Sequence, residues 1–433
     1  MGLIDAPVAR PTPPENAKMV DLVLDESAAV LTDPPVAILL AGGRGSRLFE
    51  LTDRTCKPAL PFVRRRRIVD FTMENIARAG MRKVIVASQF RAAPLETHLK
   101  SAWGRRFGSA GLAFRRGSEL PGAALRYGGT ADAVWKNAAE IDALGAREVM
   151  ILSADHVYEM DYGLMIAAHR ASGAKITLAA TVVNRYEARG FGVIGAAPGG
   201  QITDFTEKPD VPQTLPGDPE HALASMGIYL CDWVWLRRML AEDALSDRST
   251  HDFGHDILPR AVQQGEAFAY AWDNHRGGAA FWRDVGTLDA LRETWLQFEN
   301  GPAPCGLPAP DLDQVVQPVS RFGMSVTVNG LRLFAPLHSR PGQPGWGVME
   351  GSVLMQGARL SPGCRLTRAI IAPGVMLPEG LVVGEDPAED RRWFRVTPGG
   401  TTLVTTQMLS RRAARMPRGH RGIGRGFFQM AVS

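Results

Sequence analysis

A chain of 433 residues is long enough for two domains with cores of their own, and 45% apolar with 22% charged residues is a globular composition. The formal charge of +4 is mild, and the arginine clusters at 64–67, 105–106, 115–116 and in the tail from 411 are not interleaved with aromatics as a single-strand binder requires, so nucleic acid is not indicated. Cys56, Cys231, Cys305 and Cys364 are scattered, with no CxxC and no paired histidine; they point to neither a zinc site nor a disulfide framework and suit reduced thiols in the cytoplasm. No run approaches the ~20 apolar residues of a membrane helix, and neither a membrane span nor a secretory signal is expected.

In chain order, residues 1–34 carry Pro7, Pro11, Pro13, Pro14 and Pro34, which predicts an irregular extension with one short helix near 20–30. Val36-Ala-Ile-Leu-Leu-Ala41 is apolar without alternation and reads as a strand buried on both faces. It breaks into Gly42-Gly43-Arg44-Gly45-Ser46-Arg47, a loop that can turn tightly, bring amides to a ligand and set cationic forks beside them. Lys57-Pro58 follows, and the stretch reads as a triphosphate-handling loop for nucleotidyl transfer; an ordinary turn with solvated arginines is the alternative. The pattern then predicts a helix over 68–79 stopped by Gly80, a strand over 83–88, a helix over 131–144, a strand over 149–154, a helix over 160–172 ended by Gly173 and a strand over 176–183. This alternation gives the α/β class: a doubly wound, mainly parallel, Rossmann-like sheet over residues 35–299, with ligands beyond the carboxyl ends of the strands. Residues 300–347 are Pro-rich and read as a linker or irregular segment. Over 348–410, turn residues recur around short apolar triplets at about a six-residue spacing, the pattern of a short left-handed parallel β-helix, with an irregular β domain as the alternative. The chain ends in a basic Gly/Arg tail over 411–433, and the stretch 410–426 is expected to be disordered.

Transfer of a nucleotidyl group needs charge neutralisation, alignment and a metal more than covalent help. The loop offers its amides with Arg44 and Arg47, and Lys57 can hold a phosphate as a point charge. Asp155 leaves an apolar strand at the ligand edge and is a candidate metal ligand; capping the helix after Met160 is its other reading. Asp284, in Phe-Trp-Arg-Asp-Val-Gly-Thr, would complete the one or two carboxylates that Mg²⁺ usually takes, if the fold joins them. His156 reads as structural, because a phosphate nucleophile is already ionised. In Glu207-Lys208-Pro209, Lys208 suits a sugar phosphate and Glu207 a sugar hydroxyl, although such a triplet is also a common solvated turn.

These residues resemble a family, the bacterial glucose-1-phosphate adenylyltransferases. The motifs run in family order: Leu-Ala-Gly-Gly-Arg-Gly-Ser-Arg-Leu at 40–48, Lys57-Pro58, Tyr127 with Gly129-Thr-Ala-Asp-Ala-Val, Asp155-His156-Val-Tyr158 and Gly190-Phe-Gly-Val. Phe205-Thr-Glu-Lys-Pro209, Ala224-Ser-Met-Gly-Ile-Tyr229, Asp252-Phe-Gly254, Trp282-Arg-Asp-Val-Gly-Thr287 and Pro378-Glu-Gly-Leu-Val-Val-Gly-Glu385 continue it. The resemblance implies ATP and α-glucose 1-phosphate giving ADP-glucose and pyrophosphate with Mg²⁺, for glycogen synthesis. It implies catalytic Arg47, Lys57 and Asp155, and nucleotide contacts at Leu40, Ala41, Gly42, Gly43, Arg44, Gly45, Gly129 and Asp155. It puts Tyr127, Gly192, Glu207, Lys208 and Ser225 at the sugar phosphate and Asp155 with Asp284 at the metal. It also implies a cytoplasmic homotetramer built partly through the β-helix, with phosphorylated or carboxylate effectors and basic effector positions at Arg54 and Arg67.

The chain departs from the family at three places. Arg116-Gly117-Ser118-Glu119-Leu120 replaces a loop whose glutamine meets adenine, and Arg126 replaces a Trp; Glu119 can accept from an adenine amino group but cannot donate. Thr55, Pro61 and the run 63–67 rewrite the effector region, and 300–347 matches poorly. An altered base or sugar, and a non-catalytic regulatory paralogue, are the alternatives these departures leave.

Overall fold

The first apolar runs form strands β1 (Val36–Ala41), β2 (Val84–Ser88), β3 (Leu112–Arg116) and β4 (Glu148–Ser153). In the computed structural model, which describes residues 33–108, 110–119, 126–272, 280–310, 324–328, 331–335 and 347–415, they pair in parallel in the order β3-β2-β1-β4. β1 lacks alternation because both its faces are covered: Ala37, Leu39 and Ala41 join one core cluster and Val36 and Ile38 another. Next come β5 (His156–Tyr158), β6 (Ile176–Asn184), β7 (Gly192–Ala196), β8 (Ile202–Glu207), β9 (His221–Asp232), β10 (Ala267–Ala271) and β11 (Trp282–Asp284). β9 lies antiparallel between β4 and β6, and β10 extends the sheet parallel to β6, so the sheet is mainly but not wholly parallel. The β7–β8 hairpin docks on β9. β11 pairs antiparallel with β5 and sets Asp284 opposite His156.

The predicted helices over 68–79 and 160–172 are Val69–Arg78 and Tyr162–Ser172. Asp161 caps the second by accepting the Gly163 N–H at 2.8 Å, which leaves Asp155 free of that role. The predicted helix over 131–144 is two helices, Thr130–Trp135 and Ala138–Ala143. The break falls at buried Asn137, whose amide donates to Ala133 O at 2.7 Å and to the Tyr127 hydroxyl at 3.3 Å and so competes with the helix ladder.

The segment 300–347 is not wholly irregular: β12 (Met324–Val328) and β13 (Leu331–Ala335) form a hairpin, and β13 pairs antiparallel with β14 (Gly347–Glu350). Beyond it lie β15 (Val353–Leu354), β16 (Arg365–Thr367), β17 (Ala369–Ile371), β18 (Val382–Val383), β19 (Arg395–Val396) and β20 (Thr402–Val404). β14-β16-β18 and β15-β17-β20 are parallel ladders, the walls of a short parallel β-helix. Its corners stack glycines: a Cβ on Gly357 or Gly363, both at positive φ, would lie 3.5 Å from the Cα of Gly374 or Gly380. So short a solenoid needs a neighbour, and it has one. Leu60, Phe62, Phe71, Trp295 and Phe298 share one hydrophobic cluster with Met349, Ile370 and Leu377. Arg292, buried between the two parts, donates to the Thr401 hydroxyl and to Gly351 O, each at 3.0 Å.

The chain over 410–415 is helical rather than disordered, as part of Thr406–Arg415, because Met408 buries against the β-helix core. The rest of the tail, and the predicted helix near 20–30, lie outside the described residues. No described helix is long and apolar enough to cross a membrane. The four cysteines are free.

Candidate active site

Leu40 and Ala41 end β1, and Leu40 O accepts the Ala154 N–H at 3.2 Å, which ties the glycine loop to the segment carrying Asp155. A Cβ on Gly43 would meet nothing within 4 Å, so this side of the loop is open to a ligand. Gly45 is different. Its φ is +63°, and a Cβ there would sit 3.0 Å from Thr52 Cγ2 and 3.3 Å from Lys57 Cβ. Only glycine suits both constraints. The Arg44 guanidinium lies 4.9 Å over the Phe90 ring. Arg47 is 67% exposed, with Nη2 3.6 Å from Asp284 Oδ2.

Lys57 opens the short turn Lys57–Ala59 and is buried. Its Nζ lies 3.0 Å from Asp155 Oδ2 and 2.5 Å from Asp284 Oδ1, so three distant stretches meet at one ammonium. Burial alone would push the Asp155 carboxyl up; Lys57, His156 and the Ser153 hydroxyl, donating at 2.6 Å, outweigh it and hold the carboxyl well below its ordinary range. Asp284 follows the same balance, with burial opposed by Lys57 and His156 and a net downward shift. Burial pulls the Lys57 ammonium down, but the two carboxylates reverse this and raise it. Burial also lowers His156, against the pull of both carboxylates. At neutral pH the cluster is therefore two carboxylates, one ammonium and a neutral imidazole.

Asp155, His156 and Asp284 each offer a ligand atom, all within 4.8 Å of one another. His156 Nδ1 is buried with no hydrogen-bond partner among the described residues, and its ring meets Trp282 edge-on, 5.0 Å between centroids. Two anionic oxygen donors suit a hard divalent cation.

Further along β9, where the β7–β8 hairpin docks, Gly192 pairs with Glu207 across that hairpin. A Cβ on Gly192 would lie 2.4 Å from Phe205 Cζ and 2.9 Å from Glu207 Oε2. A Cβ on Gly254 would lie 2.6 Å from the same oxygen, so two glycines make room for one carboxylate. Lys208 has φ +46°, is 60% exposed and reaches Glu207 Oε1 at 2.5 Å. Such a backbone outlier is strain of the kind that collects at functional sites. Ser225 is buried on β9 and its hydroxyl accepts the Gly227 N–H at 3.3 Å. Tyr127 is buried, and its hydroxyl donates to Arg115 O at 3.2 Å while accepting from Asn137, so that hydroxyl is engaged within the fold.

Sequence reasoning missed Gln89, at the end of β2. Its Oε1 accepts the Tyr127 N–H at 2.5 Å, and a Cβ on Gly117 would press on it at 2.8 Å. A single Gln after a strand carries no motif, so no local signal marks it. Glu119 is held by Arg116 at 2.9 Å, and Arg116 also grips Glu96 at 2.6 and 2.5 Å. Of the two residues expected at effector positions, Arg54 is exposed. Arg67 is half-buried and donates to Ala59 O at 2.7 Å, on the turn of Lys57. Neither lines the cavity of about 610 Å³ between the glycine loop and the β-helix, which Arg44, Phe49, Glu50, Arg91 and Arg395 help to wall.

Residues 36–301 match the nucleotidyl transferase family, and residues 344–404 match the GlmU-like C-terminal hexapeptide family, whose repeat is that of a left-handed β-helix. The chain is 38% identical over 421 residues to the glucose-1-phosphate adenylyltransferase of Jannaschia sp. (strain CCS1), covering 88% of this chain and 98% of that one. It is 37% identical over 418 residues to the glucose-1-phosphate adenylyltransferase of Cereibacter sphaeroides (strain ATCC 17025), covering 88% and 97%. It is 37% identical over 417 residues to that of Novosphingobium aromaticivorans, covering 90% and 100%. Nucleotidyltransferases generally use divalent metal ions, which accords with the carboxylate pair. The chain thus belongs to the nucleotidyl transferase family and, within it, to the glucose-1-phosphate adenylyltransferases.

Proposed function

We propose that the chain transfers the adenylyl group of ATP to α-D-glucose 1-phosphate, giving ADP-glucose and pyrophosphate for glycogen synthesis. The observation that carries this is the meeting of Lys57, Asp155 and Asp284 beside an open glycine loop. A phosphate oxygen of the sugar attacks the α-phosphorus, and the bond to the β-phosphate oxygen breaks to release pyrophosphate. Amides of residues 40–45 with Arg44, Arg47 and Lys57 face the triphosphate, and Gly129 borders the nucleotide. Gly192, Glu207, Lys208, Ser225 and the ring of Tyr127 receive the sugar phosphate. Asp155 and Asp284 hold Mg²⁺, which when bound supplies charge neutralisation at the α-phosphate. Lys57 keeps the two carboxylates together and ionised, and the nucleophile is already anionic, so no general base is needed.

A different base or sugar is the second reading, motivated by Glu119, which can accept from a base but cannot donate to it, and by Arg126. Pyrophosphate release from glucose 1-phosphate with ATP, CTP, GTP and UTP separates the two: ATP turning over fastest is expected, and no turnover with ATP defeats the first. The family resemblance further supports a catalytic unit over 35–299 with a β-helix unit over 348–410, a cytoplasmic homotetramer, and control by phosphorylated or carboxylate effectors through Arg54 and Arg67. Light scattering, and the same panel with fructose 6-phosphate and pyruvate added, test the last two.

A further inference from the structure

His251 has φ +56°, a conformation rare for a residue with a side chain. Three hydrogen bonds hold it there. The carboxylate of Asp243, buried at the end of the helix Trp233–Ala244, accepts from His251 Nδ1 at 2.9 Å and from the Ser249 hydroxyl at 2.6 Å, and that hydroxyl accepts the His251 N–H at 2.8 Å. The bend turns the His251 carbonyl onto the start of the helix Thr130–Trp135, where it accepts the N–H groups of Ala131 at 2.8 Å and Asp132 at 3.3 Å. A Cβ on Gly129 would lie 2.1 Å from that oxygen. The Thr130 hydroxyl donates to Asp252 at 2.8 Å and accepts the Phe253 N–H at 2.9 Å. Two residues further on, Gly254 abuts Glu207, where a Cβ would lie 2.6 Å from Oε2. Residues 249–254 therefore touch the Gly129 rim at one end and the Glu207 carboxylate at the other.

We propose that His251, clamped by Asp243, is a positioning residue: its strained bend fixes the spacing between the Gly129 rim and Glu207, so that nucleotide and sugar phosphate are aligned together. This rests on the roles given above to Gly129 and Glu207. Strain at a non-glycine residue persists only where its surroundings over-determine it, and here both ends of the strained loop meet the site.

The test compares the full-length protein with His251→Ala and His251→Asn. Asn tolerates positive φ and its amide can donate to Asp243; Ala can do neither. Kinetics are read as kcat and as the effect of saturating glucose 1-phosphate on KM for ATP, alongside melting midpoints and hydrogen exchange of the Ala131 and Asp132 amides. His251→Ala should lose at least about tenfold in kcat and lose the mutual effect of the two substrates, whereas His251→Asn stays within about threefold, as misalignment rather than lost chemistry predicts. Normal kcat and normal coupling in His251→Ala, or a loss that tracks only the folded fraction, overturns the proposal. If the unaltered protein does not turn over ATP, the functional reading fails by itself. The positioning claim is then judged by exchange: faster exchange at Ala131 and Asp132 in His251→Ala alone supports it, and unchanged exchange defeats it.

Discussion

Lys57 binds two like charges together. Its ammonium lies between Asp155 and Asp284, whose carboxylates would otherwise repel each other in a partly desolvated pocket. Lys57→Met should cost on the order of 2 kcal/mol, below the range for fully buried pairs because Asp155 keeps 32% of its side chain exposed. The loss should shrink when Mg²⁺ is added, since a cation can take the place of the missing ammonium. Thermal melts with and without the ion check this, and a midpoint indifferent to Mg²⁺ would count against the paired-carboxylate site. Lys208 acts at a different point. Exposed and on a strained backbone, it should serve binding more than the bond exchange. Lys208→Ala should raise KM for glucose 1-phosphate at least about tenfold while changing kcat much less. An unchanged KM would remove Lys208 from the sugar-phosphate site.

At the scale of the element, the glycine loop depends on Gly45 more than on its neighbours. Gly43 has open space around it, whereas Gly45 combines positive φ with contacts to Thr52 and Lys57. Gly45→Ala should cost about 1–2 kcal/mol through backbone strain and crowding, and it should raise KM for ATP because the displaced Cβ pushes on Lys57. Gly43→Ala should leave the melting midpoint nearly unchanged. Differential scanning calorimetry of the two variants separates the conformational need for glycine from mere loop length. The β11–β5 pair is the other decisive element. It is short, yet its register brings Asp284 level with His156 and so builds half of the carboxylate site.

At the scale of the molecule, the segment that follows the glycine loop, from Leu48 to Phe71, and the helix Leu288–Glu299 share a core with the β-helix. Glu50, just past Arg47, accepts from Arg395 of the β-helix at 2.6 and 2.8 Å, and the Arg395 guanidinium lies 4.3 Å over the Phe49 ring. The hydrogen bonds from Arg395 hold the Glu50 carboxyl below its ordinary value, against the opposing pull of burial. A depressed carboxyl stabilises the fold fully above its unfolded value of about 4.3 and loses that contribution as pH falls through the lower folded value. Glu50→Gln should therefore melt lower than the unaltered protein near pH 6, and the gap should close as the pH falls below the unfolded value. A gap independent of pH would show that the ion pair contributes nothing to the junction.

The sequence by itself determined what is encoded locally. Unalternating apolar runs marked β1, β2 and β4 because strands covered on both faces have no polar side. Gly42-Gly43-Arg44-Gly45 marked the loop because a glycine run interrupts a strand, although only Gly45 requires glycine, and recurring turn residues marked the β-helix because each coil repeats the same corner. Tertiary structure decided the rest, for reasons no local pattern contains. Asp155 and Asp284 become partners only through an antiparallel pairing of two short strands. The predicted helix over 131–144 breaks because Asn137 finds a partner in Tyr127, which also engages the Tyr127 hydroxyl. Arg67 turns inward to Ala59 rather than outward, and Gln89 and His251 matter through backbone groups that they hold in place. Periodicity reports which face of an element is buried; it carries no information about which distant carboxylate, carbonyl or amide will stand opposite, and the candidate site is made of such encounters.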